Sequence, residues 1–166
     1  GIFTEFMEQR APGHTVADDK IYKKGFLDFI DDIDKSLRSI DYLNDDEAFE
    51  KEQQLKAMRI CAQAIIRLAE RYSEKAMEKA AAETDPARKQ ELLKIAEITK
   101  RVPAHAPRTF WEALQAYWFV HIGVISELNT WDSFNPGRLD QHLYPFYKKE
   151  IEEGTLNHEF ARELLQ

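Results

Sequence analysis

Apolar side chains recur every three or four positions along most of this chain, in runs separated by short polar or proline-containing breaks. That is the α-helical period, because residues three and four apart share one face of a helix. Tyr22, Phe26, Phe29, Ile33, Leu37 and Ile40 form one such stripe behind Asp18 and Asp19, and predict a helix that begins after the two aspartates. Asn44-Asp45-Asp46 supplies turn and cap residues, and a long helix is expected from there to about Ala82. Its predicted inner face is Leu55, Met58, Cys61, Ile65, Leu68 and Tyr72, with Lys, Glu, Gln and Arg on the solvated remainder. Thr84-Asp85-Pro86 predicts the next start, with Asp85 as N-cap and Pro86 at the first helical position. That helix is expected to reach about Arg101, with Leu92, Leu93 and Ile95 inward, and residues 102–108, which hold two prolines, read as an extended connector. No strand alternation stands out, so the expected fold class is mainly α.

The stretch from Thr109 to His142, TFWEALQAYWFVHIGVISELNTWDSFNPGRLDQH, is the one around which the rest is arranged. Thr109 and Glu112 have the spacing of a capping box, so a helix starts there. From Ala113 to Ile125 only Gln115, His121 and Gly123 interrupt an apolar run. A helix apolar on every side belongs inside a protein larger than itself, and this one is too short and too interrupted to span a bilayer. It hands over to Ser126, Glu127, Asn129 and Asp132, and then to a turn at Asn135-Pro136-Gly137. A buried helix that delivers polar groups to a loop can place chemistry in a dry cavity. Beyond it, Leu139 to Glu153 reads as mostly helical with an interruption at Pro145, Gly154 as its stop, and Asn157 as the cap of a last helix. At the front, Thr4 could cap a short helix carrying Phe3, Phe6 and Met7 on one face, ended by Ala11-Pro12-Gly13 just before His14.

At 166 residues and 43% hydrophobic, the chain is one domain or part of one and can bury a core. Its net charge of -7 argues against a nucleic-acid partner. No signal peptide, lipidation site or membrane-spanning segment is recognisable, and a single cysteine fits a reducing compartment. The sequence starts at Gly1 without a methionine and stops at Gln166 inside a helical pattern, so a piece of a longer polypeptide is expected.

Several residues carry candidate chemistry. His14 follows a rigid turn, and an imidazole there can exchange a proton near neutrality; the residues alone favour a histidine that bonds a nearby backbone group. Asp132, between Trp131 and Phe134, could bind an ammonium or hydroxyl in an apolar pocket, or equally make an Asx-turn ahead of Asn135-Pro136. Glu127 is expected to have an arginine partner if it is buried. Cys61, on the apolar stripe and with no histidine near it in sequence, reads as core rather than nucleophile. His105, His121, His142 and His158 fit no metal-ligand spacing, and His121 reads as a satisfied core histidine.

Two stretches, FTEFMEQRAPGHTVADDKIY from Phe3 and WFVHIGVISELNTWDSFNPGRLDQHLYPFY from Trp118, resemble the glycyl radical enzymes of the pyruvate formate-lyase-like superfamily, in the dehydratase and C–X lyase branch. The intervening ETDPARKQELLKIAE and VPAHAPRTFWEALQ fit as well, so the resemblance covers residues 1–166 as a partial domain of that kind. It implies a helical part surrounding a ten-stranded α/β barrel. It also implies a small polar substrate, hydroxyproline-, choline- or glycerol-like, from which a thiyl radical takes a hydrogen atom before hydroxide or another group leaves. By the same resemblance His14 is a catalytic residue at the leaving hydroxyl, Phe6 a substrate-binding pocket wall, and Asp132 the carboxylate that binds the substrate's polar group. No cofactor or metal is expected in this chain. The parent's glycyl radical is installed by an activating enzyme that uses S-adenosylmethionine and an iron–sulfur cluster. The implied partners are the rest of the parent polypeptide, that activating enzyme and a second copy in a homodimer, in the cytoplasm of an anaerobic bacterium. The thiyl-loop cysteine and the radical glycine are not in this sequence, and Cys61 does not match the former, so these residues alone are expected to be inactive. The opposing reading is a non-catalytic helical scaffold or interaction domain.

The apolar run from Ala113 to Ile125 calls for more protein than this chain supplies. The isolated chain is therefore expected to self-associate and to enhance the fluorescence of a hydrophobic dye. A monodisperse monomer that leaves the dye dark, in sizing and titration experiments, would contradict this.

Overall fold

Seven helices account for the regular structure of the residues that the computed structural model describes, 17–127 and 136–166. In chain order they are α1 (Lys20–Lys23), α2 (Phe26–Arg38), α3 (Ala48–Ala82), α4 (Pro86–Arg101), α5 (Phe110–Glu127), α6 (Leu139–Glu153) and α7 (His158–Leu164). No strand occurs among the described residues, and none of their helices is long and apolar enough to cross a membrane. The chain folds as two compact units: one joins the residues up to Lys23 with Pro107–Gln166, and the other is Lys24–Ala106.

In the second unit α3 packs against α2 and, more extensively, against α4. The cap signals act as expected: the Asp85 side chain accepts from the Ala87 amide at 3.0 Å, Pro86 opens α4, and α3 ends at Ala82. The inner face of α3 does not. Its buried residues are Ala48, Ala62, Ala69, Ser73, Ala76 and Ala80, whereas Cys61 is exposed and Met58 and Tyr72 are about half exposed. Small side chains let the backbones of α3 and α4 come close, and Ser73 Oγ donates 2.8 Å to the Ala96 carbonyl across the seam. Of the expected stripe Leu55, Ile65 and Leu68 are half-buried, but Cys61 is a surface cysteine and not a core one. On α4 the buried positions are Leu92, Ala96, Ile98 and Thr99, so Leu92 is inward as expected while Leu93 and Ile95 are half-buried.

The predicted helix behind Asp19 is split in two at Lys24–Gly25. The first amides of α2 have no partners within the helix and must find them elsewhere. The connector supplies them: Phe26 N donates to Pro103 O at 2.8 Å and Leu27 N to Ala104 O at 3.0 Å, while Asp28 reaches back to the Gly25 amide at 2.8 Å. This close approach leaves no room at Gly25, where a Cβ would stand 2.2 Å from Ala104 O and 2.4 Å from His105 Cα. Within α2 the apolar stripe faces inward as predicted, with Ile33 buried and Phe26, Phe29 and Leu37 half-buried.

In the first unit, α5 is contacted by α1, α6 and α7. Phe110, Ala113, Ala116, Phe119 and Val120 are buried along one side of it. It is not enclosed on every side, as its apolar character suggested: Trp118 is 52% exposed, and residues 121–125 are only half-buried. The predicted capping box forms by half. Thr109 Oγ1 accepts from the Glu112 amide at 3.1 Å, but the buried Glu112 carboxylate bonds the Arg108 amide, at 2.7 Å, instead of that of Thr109. Glu150, from α6, accepts from the Phe110 amide. Edge-to-face ring pairs Phe110–Tyr147 and Trp111–Phe160 hold α6 and α7 to the same end of α5. Helix α6 runs through Pro145 without the expected interruption and stops at Gly154, whose φ is 70°. Asn157 caps α7 through the Phe160 amide at 2.8 Å.

Gly25→Ala is expected to destabilise the protein by about 1–3 kcal/mol, the usual cost of forcing atoms into a filled space, because the clash is with backbone. Chemical denaturation of the variant beside the parent chain measures it, and an unchanged midpoint would refute the close approach.

Candidate functional site

The expected site residues Phe6, His14 and Asp132 lie outside the described residues, as does the side chain of Glu127. Among the described residues, the turn at Ala17–Asp19 and the first turn of α6 meet in a cluster of Asp18, Tyr22, His142 and Phe146.

Ala17 and Asp18 both have left-handed backbone, with φ of 57° and 46°. Two successive non-glycine residues in that region cost energy and persist only where the surroundings fix them. The Lys20 amide bonds back to Ala17 O at 3.0 Å, and Asp19 pairs with Lys23 one turn along. That hydrogen bond from Lys23, ahead of the charges of Lys23 and His142, holds the Asp19 carboxyl below the usual aspartate range. The turn places Asp18 Oδ1 3.3 Å from His142 Nε2, on the first turn of α6. The His142 ring stacks on Tyr22, with centroids 5.2 Å apart and planes 21° from parallel, and Phe146 covers Tyr22 at 6.5 Å.

Two polar atoms in this stack are buried without a hydrogen-bond partner among the described residues: the Tyr22 hydroxyl and His142 Nε2. The latter is within ion-pair distance of Asp18 but is not aligned for a hydrogen bond. Burial pushes the Tyr22 phenol up to about 12, with smaller contributions from Tyr117 and Asp18, which disfavour a further negative charge. Tyr117, on α5, is also raised by burial, and its hydroxyl lies 3.3 Å from Nδ1 of His121, which in turn stacks on Trp118 at 5.4 Å. His121 is thus partnered as expected, though half-buried rather than in the core. The cluster can exchange hydrogen bonds and hold a carboxylate against an imidazole. Among the described residues no three His, Cys, Asp or Glu side chains are grouped so as to hold a metal ion.

A second concavity of about 520 Å³ is lined mainly by Phe110, Leu139, Leu143, Tyr144 and Leu165. Its mouth holds an exposed pair, the Tyr147 hydroxyl 2.5 Å from His158 Nδ1. Sequence reasoning singled out none of Asp18, Tyr22 and His142 as functional. Asp18 was read as a helix start, Tyr22 as the end of a core stripe, and His142 as a histidine without a motif. Asp18 and Tyr22 meet His142 more than a hundred positions away in sequence, and no local pattern encodes such a meeting.

Comparison with known proteins decides the family, since the model for pyruvate formate lyase-like proteins matches residues 1–166. The chain belongs to that family. It is 57% identical to trans-4-hydroxy-L-proline dehydratase of Clostridioides difficile, over all of this chain and 21% of that protein. It is 40% identical to isethionate sulfite-lyase of Oleidesulfovibrio alaskensis, over 89% of this chain and 18% of that one. The crystal structure of hydroxyproline dehydratase from Clostridioides difficile, with trans-4-hydroxy-L-proline bound, superposes with a TM-score of 0.88 at 56% identity, covering 94% of this chain and 20% of the other. The chain therefore spans about a fifth of the length of these relatives, and it is a helical portion of the glycyl radical enzyme fold.

The Tyr22 phenol supplies a pH test. Its folded value, about 12, is above the ordinary 10, so its contribution to stability is complete below pH 10 and is lost as the pH rises from 10 to 12. Tyr22→Phe is expected to flatten the fall in stability over that window, read by denaturation at pH 9 to 11.5. An identical fall in both proteins would show that Tyr22 titrates like an exposed tyrosine.

Proposed function

We propose that this chain is the helical, pocket-wall portion of a glycyl radical dehydratase or lyase, and that the parent dehydrates a small hydroxylated amino acid of the hydroxyproline type. The single observation that carries the reading is the 57% identity to trans-4-hydroxy-L-proline dehydratase over all 166 residues. In this reading the parent depends on a glycyl radical installed by an activating enzyme that uses S-adenosylmethionine and an iron–sulfur cluster. It works as a homodimer in the cytoplasm of an anaerobic bacterium. Radical generation falls to parts of the parent that this sequence does not contain.

The roles of the present residues follow from the chemistry. A hydroxyl is a poor leaving group, so its departure from the substrate radical needs a proton, and His14 helps to deliver it. Asp132 holds the substrate's ammonium and so fixes which hydrogen atom faces the thiyl. Phe6 closes the wall and keeps water out. A solvated site would weaken both the ion pair and the hydrogen bond to the leaving group, because water screens and competes. The scaffold reading differs in one measurable respect: it leaves these three side chains without effect on turnover.

The test is expression of the parent enzyme with an activating enzyme under strict anaerobiosis. A glycyl radical signal in electron paramagnetic resonance is expected, with turnover of trans-4-hydroxy-L-proline and none of choline, glycerol or isethionate. His14→Gln is expected to lower kcat about 100-fold or more, the range for loss of a general acid, with the radical signal intact. Asp132→Asn is expected to raise KM at least tenfold. Wild-type kinetics in both variants would overturn the assignment of these residues, and absence of the radical would overturn the enzyme reading itself.

A further inference from the structure

The Asp18–Tyr22–His142 cluster has features that packing alone does not explain. A phenylalanine at either ring position would stack as well and would leave no polar atom unsatisfied. Instead the Tyr22 hydroxyl and His142 Nε2 are both buried without a hydrogen bond among the described residues. Asp18, itself exposed, comes within 3.3 Å of His142 Nε2 from a turn in which Ala17 and Asp18 both take up left-handed backbone, a conformation unfavourable for residues other than glycine. Polar groups and strain retained at such cost mark a place where geometry matters more than stability.

The position in the chain shows what that geometry serves. Asp18 lies four residues after His14, and His142 lies ten residues after Asp132, beyond the Asn135-Pro136-Gly137 turn. The pair thus joins the turn after His14 to the helix after Asp132. We propose that His142, with Asp18 and Tyr22, is a positioning cluster that fixes the turn at Ala17–Asp19 to the first turn of α6. It acts through His14 and Asp132 and does not touch substrate, and in that respect it rests on the roles proposed for those two residues. The Tyr22 stack sets the plane of the imidazole, and the Asp18 carboxylate sets its rotation by drawing Nε2 toward it. One ring then holds the turn that follows His14 in sequence against the helix that follows Asp132, and a misplacement of about 1 Å in a reacting group is enough to cost about 100-fold in rate.

His142→Phe keeps the stack and removes Nε2, whereas His142→Gln retains an amide donor in nearly the same place. Hydrogen exchange of the parent enzyme, before activation, reads the clasp without any activity. His142→Phe is expected to speed exchange of the amides of residues 17–23 and 138–142 together, at least tenfold, with unchanged exchange in α3 and α4, and Gln is expected to restore most of the protection. Unchanged protection at residues 17–23 in the Phe variant would overturn the proposal, as would Gln behaving no better than Phe. In the activated parent enzyme, His142→Phe is expected to lower kcat/KM at least tenfold at equal radical content, with Gln within threefold of the native protein. Wild-type kcat and KM in the Phe variant would likewise overturn it. The roles of His14 and Asp132 are judged separately by their own variants. If those are fully active while the exchange result holds, the clasp stands and only the site it serves is reassigned.

Discussion

Helix α5 carries the constraint on which the first unit depends. Its buried side alternates small and large residues, with Ala113 and Ala116 between Phe110 and Phe119, so neighbours can approach the helix axis between the rings. Helices α1, α6 and α7 all contact α5. Its N-terminal amides are held by Thr109 and by Glu150 from α6, so capping and packing fix α5 at the same end. The C-terminal part is only half covered, and that is the part that leads into residues 128–135. A helix anchored hard at one end and left apolar at the other suits a role as one wall of something larger. The family match, in which this chain spans about a fifth of its relatives, agrees with that role.

The second unit is held differently. Alanines and one serine on α3 form the seam with α4, and the Ser73 hydroxyl satisfies a carbonyl of the facing helix. Backbone contact of this kind depends on the absence of side-chain bulk, and Gly25 shows the same principle where α2 meets the connector. Buried alanine adds little hydrophobic free energy per residue, since the effect scales with apolar area, so dispersion between closely packed backbones contributes a larger share.

The functional reading joins two kinds of observation that do not substitute for each other. Identity over the whole chain identifies the family and suggests the chemistry. The structure adds a polar cluster that joins the turn at Ala17–Asp19 to the first turn of α6. Its two rings carry buried polar atoms and its turn is strained, whereas the polar groups between helices of the second unit are partnered: Ser73 bonds the Ala96 carbonyl and Arg59 pairs with Asp34.

Local signals along the chain determined the helix boundaries. The caps at Asp85 and Asn157, the stop at Gly154 and the helix end near Ala82 were all legible, because a cap depends on residues within a few positions of one another. The resemblance to the glycyl radical enzymes was legible for another reason, since long matched stretches preserve what no single motif does. Which face of a helix is buried was decided by tertiary structure. On α3 the period of the large apolar residues pointed to Met58 and Cys61, but the residues buried are alanines and Ser73, and Cys61 was left at the surface. Tertiary structure also split the helix at Gly25, through connector carbonyls some eighty positions away, and brought His142 against Tyr22 and Asp18. In each case the deciding contact comes from a distant part of the chain, and its free energy outweighs a local preference worth only a few tenths of a kcal/mol to about 1 kcal/mol per residue.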